Sequence, residues 1–301
     1  MTIACAWWDE SDGLKRITAI ADARAAVEKT KGLWEPLSDR TVKLFAVDVR
    51  CHELENGLDT NRGGAWVNPY YETQIGIAFA GYCFEALTII AIVSRYLASL
   101  STEGTQSKPQ PQDIARFISE IVARYLKSHK EPEHQSVQYL VFGFAPGTNR
   151  PWLAELKYRK GKKLKDEFHA DFGKEGELFV IGDADICEEI VGQRILKDIR
   201  KRAARLEEGS GPDAAFEYEV ELARMDNAEK KAIEEMVLKK INSQYSRTVG
   251  GNLQKLEVHT AGESAVTSFT DDRNFDFSAG LPALNNDGLQ YVSLVQFMGR
   301  T

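Results

Sequence analysis

Residues Ile75–Val93 read IGIAFAGYCFEALTIIAIV, and how this stretch divides decides the fold. Its length approaches that of a bilayer span, but Glu85 sits in its middle and Gly81 interrupts it. Two soluble elements explain it better. IGIAFA is a continuous apolar run, the pattern of a strand buried on both faces. After Gly81 the apolar residues continue on nearly every side of a helix as far as Ser94, so that helix is expected to be covered by protein all round.

Upstream, Ile3–Trp8 is β-branched, small and aromatic, DESDG supplies a turn and ITAIADARA follows, so the chain opens with a hairpin. TVKLFAV (Thr41–Val47) predicts another strand. Cys51–Thr73, rich in Gly, Asn, Asp and Tyr, reads as a long surface loop or hairpin insertion. Downstream, STEGTQSKPQPQ is a breaker-rich loop leading into DIARFISEIVARYLKSH. That segment is an amphipathic helix with Ile114, Phe117, Ile118, Ile121, Val122 and Tyr125 on one face. Strands are expected at VQYLVFGFAP, WLAELKYRK and ELFVIGDA (Glu177–Ala184). Helices follow at Ile186–Leu206 and Ala228–Ile241, separated by EEGSGPD, and then strands at LQKLEVHT, SAVTSF and LQYVSLVQF. No repeat or linker divides residues 1–301, which read as one domain. Helices paired around runs of strands indicate an α+β sandwich more than a doubly wound sheet.

With 301 residues, 43% hydrophobic and 28% charged, the chain has the composition of a soluble globular protein able to bury a core. A formal net charge of -7 argues against nucleic acid as the main partner. The basic runs KYRKGKKLK (Lys157–Lys165) and KDIRKRAAR (Lys197–Arg205) read as a hairpin tip and a solvated helix face. Cys5, Cys51, Cys83 and Cys187 are widely spaced without a C-x-x-C pair. They suggest free, mostly buried thiols in a reducing compartment rather than a zinc site or disulfides. The histidines show no metal-ligand spacing and no Gly-rich phosphate loop is present, so neither a metal nor a cofactor is expected. MTIACAWWDESD lacks a basic region before an apolar core, so a cytoplasmic location is expected, with no membrane association.

The order of elements, together with three local motifs, resembles the β-subunits of proteasomes and their bacterial relatives of the HslV and Anbu type, which are N-terminal-nucleophile (Ntn) hydrolases. Met1-Thr2 opens a strand and is followed by IADAR, with Asp22 and Arg24 in the places of an Asp-x-Arg motif. In RTVKLFAV, Lys43 stands like a buried active-site lysine. IAFAGYCFEALTI resembles a turn into the first helix in which Gly81 matches a glycine of the oxyanion hole. Around Asp183, VIGDAD resembles a Gly-Ser-Gly turn with Asp in place of Ser. SRTVGGNLQKLEV resembles a segment that supplies an Asp and a Ser near the nucleophile, with Ser246 and Val249 falling near those places. The resemblance covers most of the chain, with insertions near 51–73 and 149–176 and an extended C-terminal β segment. It implies a four-layer αββα sandwich, with two antiparallel sheets between helix pairs.

What the resemblance implies for chemistry is specific. Thr2 would be the nucleophile, and its own α-amine the base once Met1 is removed. Such an amine has an ordinary pKa of about 7.7–8.0, suited to proton shuttling. Lys43 would stabilise alkoxide character on the hydroxyl and lower the pKa of the amine, Asp22 would keep Lys43 charged and placed, and the N–H of Gly81 would donate to the oxyanion. Arg24, Asp183 and Ser246 would support the site. Ala25, Thr41, Phe45, Phe79 and Cys83 match positions lining a side-chain pocket, implying an apolar or aromatic residue before the cut. The implied assembly is a homo-oligomeric ring or spiral acting on peptides or unfolded proteins, with an ATP-dependent unfoldase as a candidate partner. Two other functions stay open: a non-catalytic proteasome-like scaffold subunit, and a small-molecule Ntn amidase. Taken singly, Thr2, Asp22 and Lys43 are better explained by an ordinary N-terminus, a hairpin end and a solvated strand lysine.

Overall fold

A computed structural model describes residues 2–9, 15–30, 33–53, 69–102, 106–128, 136–159, 164–170, 172, 178–183, 231–242, 249–262, 264–270, 277–278 and 281–282. The chain is α+β. Strands β1 (Ile3–Asp9), β2 (Arg16–Asp22), β11 (Leu178–Gly182), β12 (Leu253–Ala261) and β13 (Ser264–Thr270) make one sheet in the order β11-β1-β2-β12-β13. A second sheet runs β10-β9-β8-β6-β5-β7, built from β5 (Leu44–Glu53), β6 (Tyr71–Gly81), β7 (Leu100–Thr102), β8 (Ser136–Phe144), β9 (Pro151–Arg159) and β10 (Lys165–His169). Helices α1 (Cys83–Leu97) and α2 (Pro111–Ser128) lie in the chain between β6 and β8. A small separate ribbon pairs β3 (Ala25–Thr30) with β4 (Leu33–Ser38).

The period of two in each strand sorts its side chains onto opposite faces. On β6, Ile75, Ile77 and Phe79 point to the helix side, where they meet Ile89, Val93, Ile118 and Val122 of α1 and α2. Its alternate residues Ala78 and Ala80 face the other sheet, opposite Ala4, Ala19 and Ala21. The outer face of the first sheet packs Ile3, Cys5 and Ile20 against Ile233, Val237 and Ile241 of a helix over residues 231–241. The layer between the sheets is graded. Alanines dominate where β1 begins and β2 and β6 end, whereas Ile17, Phe142, Phe144 and Leu153 fill the opposite end. Small side chains let the backbones approach at the end that carries Thr2 and Asp22.

Several expectations need correction. The sheets are not wholly antiparallel, because β7 joins β5 in parallel after α1 carries the chain back across the sheet. Helix α1 is not covered all round. It rests on a single sheet, so Phe84 stays 71% and Leu87 38% exposed, while the charged Glu85 is buried. The strand expected at Thr41 begins only at Leu44; of the two readings of Cys51–Thr73, loop or hairpin insertion, its described ends follow the hairpin, with β5 running through Glu53 and β6 starting at Tyr71. Strands β4 and β10 were not foreseen: β4 carries Pro36 and is half-exposed, and β10 is mostly charged and exposed. The expected helix at Ile186–Leu206, the start of the one at Ala228, and the strand LQYVSLVQF lie outside the described residues. Among the described residues, no helix is long and apolar enough to cross a membrane. Cys5, Cys51 and Cys83 are free thiols; Cys187 lies outside the described residues.

Gly76 tests the grading of this layer. A Cβ there would stand 2.2 Å from the ring of Phe142. Gly76→Ala should destabilise the fold by about 1–3 kcal/mol through overpacking, read as a lower denaturant midpoint with an unchanged m-value.

Candidate active site

Thr2, Asp22 and Lys43 are 1%, 0% and 0% exposed, so their polar atoms have to be satisfied by protein. They come from three different elements: the residue before β1, the last residue of β2 and the residue before β5. The Lys43 ammonium has three donors and uses each one. It donates to Thr2 Oγ1 at 2.6 Å, to Asp22 Oδ1 at 2.9 Å and to the Arg24 carbonyl at 2.5 Å. Asp22 is equally filled. Its Oδ1 also accepts from the N–H of Ile3 at 2.9 Å, and Oδ2 accepts from the N–H groups of Arg24 and Gly250, both at 3.1 Å. A carboxylate buried this deeply costs several kcal/mol in lost hydration, which three N–H donors and one ammonium offset.

The surrounding main chain is shaped to let these contacts form. Asp183 donates its N–H to the Thr2 carbonyl at 3.1 Å. The preceding Gly182 has φ 129°, and a Cβ there would fall 1.8 Å from that same carbonyl oxygen. Gly81 closes β6 with φ 112°, and a Cβ on it would meet the Ser136 carbonyl at 2.1 Å. Both positions therefore admit only glycine. Arg24 ties the outer loops together. Its guanidinium grips Asp39 at 2.6 and 3.2 Å and reaches the Val249 carbonyl at 3.4 Å, while its Cζ lies 2.3 Å from where a Gly250 Cβ would be. Hydrogen bonding to Arg24 holds the Asp39 carboxyl below its ordinary value, and the same bond raises Arg24.

The structure thus brings together four of the residues singled out by sequence, Thr2, Asp22, Arg24 and Lys43, with Asp183 on the Thr2 carbonyl. Gly81 lies two residues beyond Phe79, whose N–H donates to the Lys43 carbonyl at 3.2 Å. Ser246 lies outside the described residues. Of the expected pocket positions, Ala25 opens β3 and Thr41 donates its N–H to the Ala23 carbonyl. Phe45 packs on the fully buried Phe79 at 6.2 Å between ring centres, and half-buried Cys83 begins α1. Burial pushes the Cys83 thiol up against the opposing pull of Lys43, so it is a poor candidate for a thiolate nucleophile. Among the described residues, no group of three or more His, Cys, Asp or Glu is placed to hold a metal ion.

Sequence reasoning missed Asp39, Gln138 and Gln254. The two glutamines left a signal, since each occupies the apolar phase of its strand: Gln138 precedes Leu140 and Phe142, and Gln254 precedes Leu256 and Val258.

No protein-family model matches the chain, and no curated protein matches it either. Solved structures do. The Anbu (ancestral beta-subunit) protein from Yersinia bercovieri is 12% identical, with 91% of this chain and 88% of that one covered at a TM-score of 0.48. Anbu from Hyphomicrobium sp. strain MC1 is 10% identical, with 90% and 88% covered at a TM-score of 0.48. The helical assembly of the Anbu complex from Pseudomonas aeruginosa is 11% identical, with 91% and 87% covered at a TM-score of 0.45. These structural neighbours are of the type that the sequence motifs resemble.

Removing one partner of the buried Asp22–Lys43 pair leaves the other charge uncompensated. Asp22→Ala should therefore cost about 3–5 kcal/mol of stability in denaturant unfolding. The Arg24–Asp39 clamp should behave differently with pH. Because the folded Asp39 carboxyl is depressed, its contribution is fully present above the ordinary value of 3.8 and is lost as pH falls through the lower folded value. Asp39→Asn should therefore leave a stability difference at neutral pH that closes in acid.

Proposed function

We propose that the chain is a threonine-type N-terminal hydrolase that cleaves peptide bonds through an acyl-enzyme ester on Thr2. The observation that carries this reading is the 2.6 Å hydrogen bond from the buried Lys43 ammonium to Thr2 Oγ1, backed by Asp22. A threonine hydroxyl is a weak nucleophile unless a base and a nearby cation favour its ionised form. With Met1 removed, the α-amine of Thr2 takes the hydroxyl proton as Oγ1 attacks the scissile carbonyl. Lys43 stabilises the developing oxygen charge, and the N–H of Gly81 donates to the tetrahedral oxyanion. The amine then passes its proton to the departing amine, and water, deprotonated by the same group, hydrolyses the ester.

Half-buried Phe45, backed by the core residue Phe79, supports with Ala25, Thr41 and Cys83 a preference for an apolar or aromatic residue before the cut. A homo-oligomeric ring or spiral is supported by apolar side chains left exposed on the single chain, notably Phe84 at 71% on α1 and Leu37 at 74% on β4. Folded substrates would then require an ATP-dependent unfoldase as partner. The core between the sheets, the helices on one face and the helix over residues 231–241 on the other support the αββα layering of this class. The free thiols fit a cytoplasmic enzyme. One observation favours a second reading as a non-catalytic scaffold subunit: Thr2 is only 1% exposed.

Hydrolysis of fluorogenic peptides with an aromatic residue before the reporter separates the two readings. Thr2→Ala and Lys43→Ala should each lower turnover by at least about 10³-fold. Equal activity in parent and Thr2→Ala would exclude Thr2 as nucleophile. Phe84→Glu combined with Leu37→Glu should shift the protein to smaller species in sedimentation.

A further inference from the structure

Lys43 reaches the site from a segment that belongs to neither sheet's ladder, since β5 begins at Leu44. Its main chain is held instead by a side chain from the opposite sheet. Gln254, 1% exposed on β12, donates Nε2 to the Thr41 carbonyl at 2.6 Å and accepts through Oε1 from the Lys43 N–H at 2.9 Å. On the far side, the Lys43 carbonyl accepts from Phe79 of β6. The main chain of one residue is thus gripped from both sheets at once. A reciprocal arrangement lies beside Thr2. Gln138 of β8, in the second sheet, donates to the Gly182 carbonyl and accepts from its N–H, both at 3.3 Å, next to the Asp183 N–H that holds the Thr2 carbonyl.

We infer that Gln254 is a positioning residue for Thr2: its amide fixes the Lys43 main chain across the two sheets and thereby sets where the ammonium meets Thr2 Oγ1, with Gln138 anchoring the strand end on the other side. This rests on the threonine-hydrolase reading. Thr2 and Asp22 ride on the first sheet, whereas Lys43 leads into the second. The apolar layer between the sheets gives affinity without direction, and its alanine-rich end offers little interdigitation to resist sliding. The ammonium needs its acceptors at 2.5–2.9 Å, so a slide of about 1 Å breaks the arrangement and costs on the order of 10²-fold in rate. A glutamine amide carries one donor and one acceptor group and so reproduces the two-point contact of a neighbouring strand. A glutamate offers acceptors only, and a methionine of similar length offers neither.

The test uses the full-length protein, comparing parent, Gln254→Met and Gln254→Glu. A β-lactone acylates Thr2, and its saturating rate and half-saturating concentration are measured separately across pH, with amide exchange followed at Lys43 and in β8. Gln254→Met should lower the saturating rate about 10- to 100-fold, leave half-saturation unchanged, shift the pH profile and speed exchange at Lys43 while β8 stays protected. Gln254→Glu keeps the acceptor for Lys43 and should fall between. Acylation of Gln254→Met at the parent rate overturns the inference. So does a loss of rate in both variants that tracks loss of protection in β8, which marks a merely structural residue. A parent that is never acylated defeats the threonine-hydrolase reading itself and the positioning role with it, a result distinct from equal acylation of parent and variant.

Discussion

The end of this fold that carries Thr2 depends on where one buried ammonium can be satisfied. Lys43 has no contact with solvent, so its charge is tolerated only if every donor finds an acceptor and a carboxylate lies close by. Asp22 supplies the carboxylate, and its own four hydrogen bonds recruit the N–H groups of Ile3, Arg24 and Gly250. One charge pair therefore fixes the start of β1, the end of β2 and the loop before β12 relative to one another. The Thr2 hydroxyl is the third acceptor, so the group proposed as nucleophile is also part of what makes the buried lysine affordable.

From that constraint the rest of the local structure follows. Two sheets have to come close enough for a lysine leading into one to reach a threonine and an aspartate on the other, and alanines line the gap at that end. Within each sheet, the carbonyl of a neighbouring strand end (Ser136 or Thr2) leaves no room for a side chain, hence glycine at 81 and 182. Apolar packing alone would hold the sheets together without setting their register. Polar cross-links perform that task, at Gln254 and Gln138 near the site and again at Gln74, whose Oε1 accepts from both the N–H and the hydroxyl of Thr267 at 2.8 Å.

The strand-then-helix split at Gly81 was legible because the apolar phase changes there and a glycine marks the change. The Thr2, Asp22 and Lys43 set was legible through motif order along the chain, not through any residue by itself. Other features were hidden for physical reasons. In its first turns the exposed face of α1 carries Phe84, Leu87 and Ala91 and is as apolar as the buried face, so hydrophobicity could not say that Phe84 and Leu87 would stay uncovered. Strand β7 has three residues and pairs in parallel, too short for any periodic signal. Asp39 reads as an ordinary turn residue, and only the folded chain brings it to Arg24. The delayed start of β5 depends on a glutamine more than two hundred positions away in sequence, a contact that no local pattern encodes.

Whether the lysine-bound hydroxyl is a working nucleophile is decided by intact-mass analysis of the native protein with and without a β-lactone. The native chain should lack Met1 and gain one inhibitor mass, with the adduct mapping to Thr2. A chain that keeps Met1 and gains no mass would contradict it.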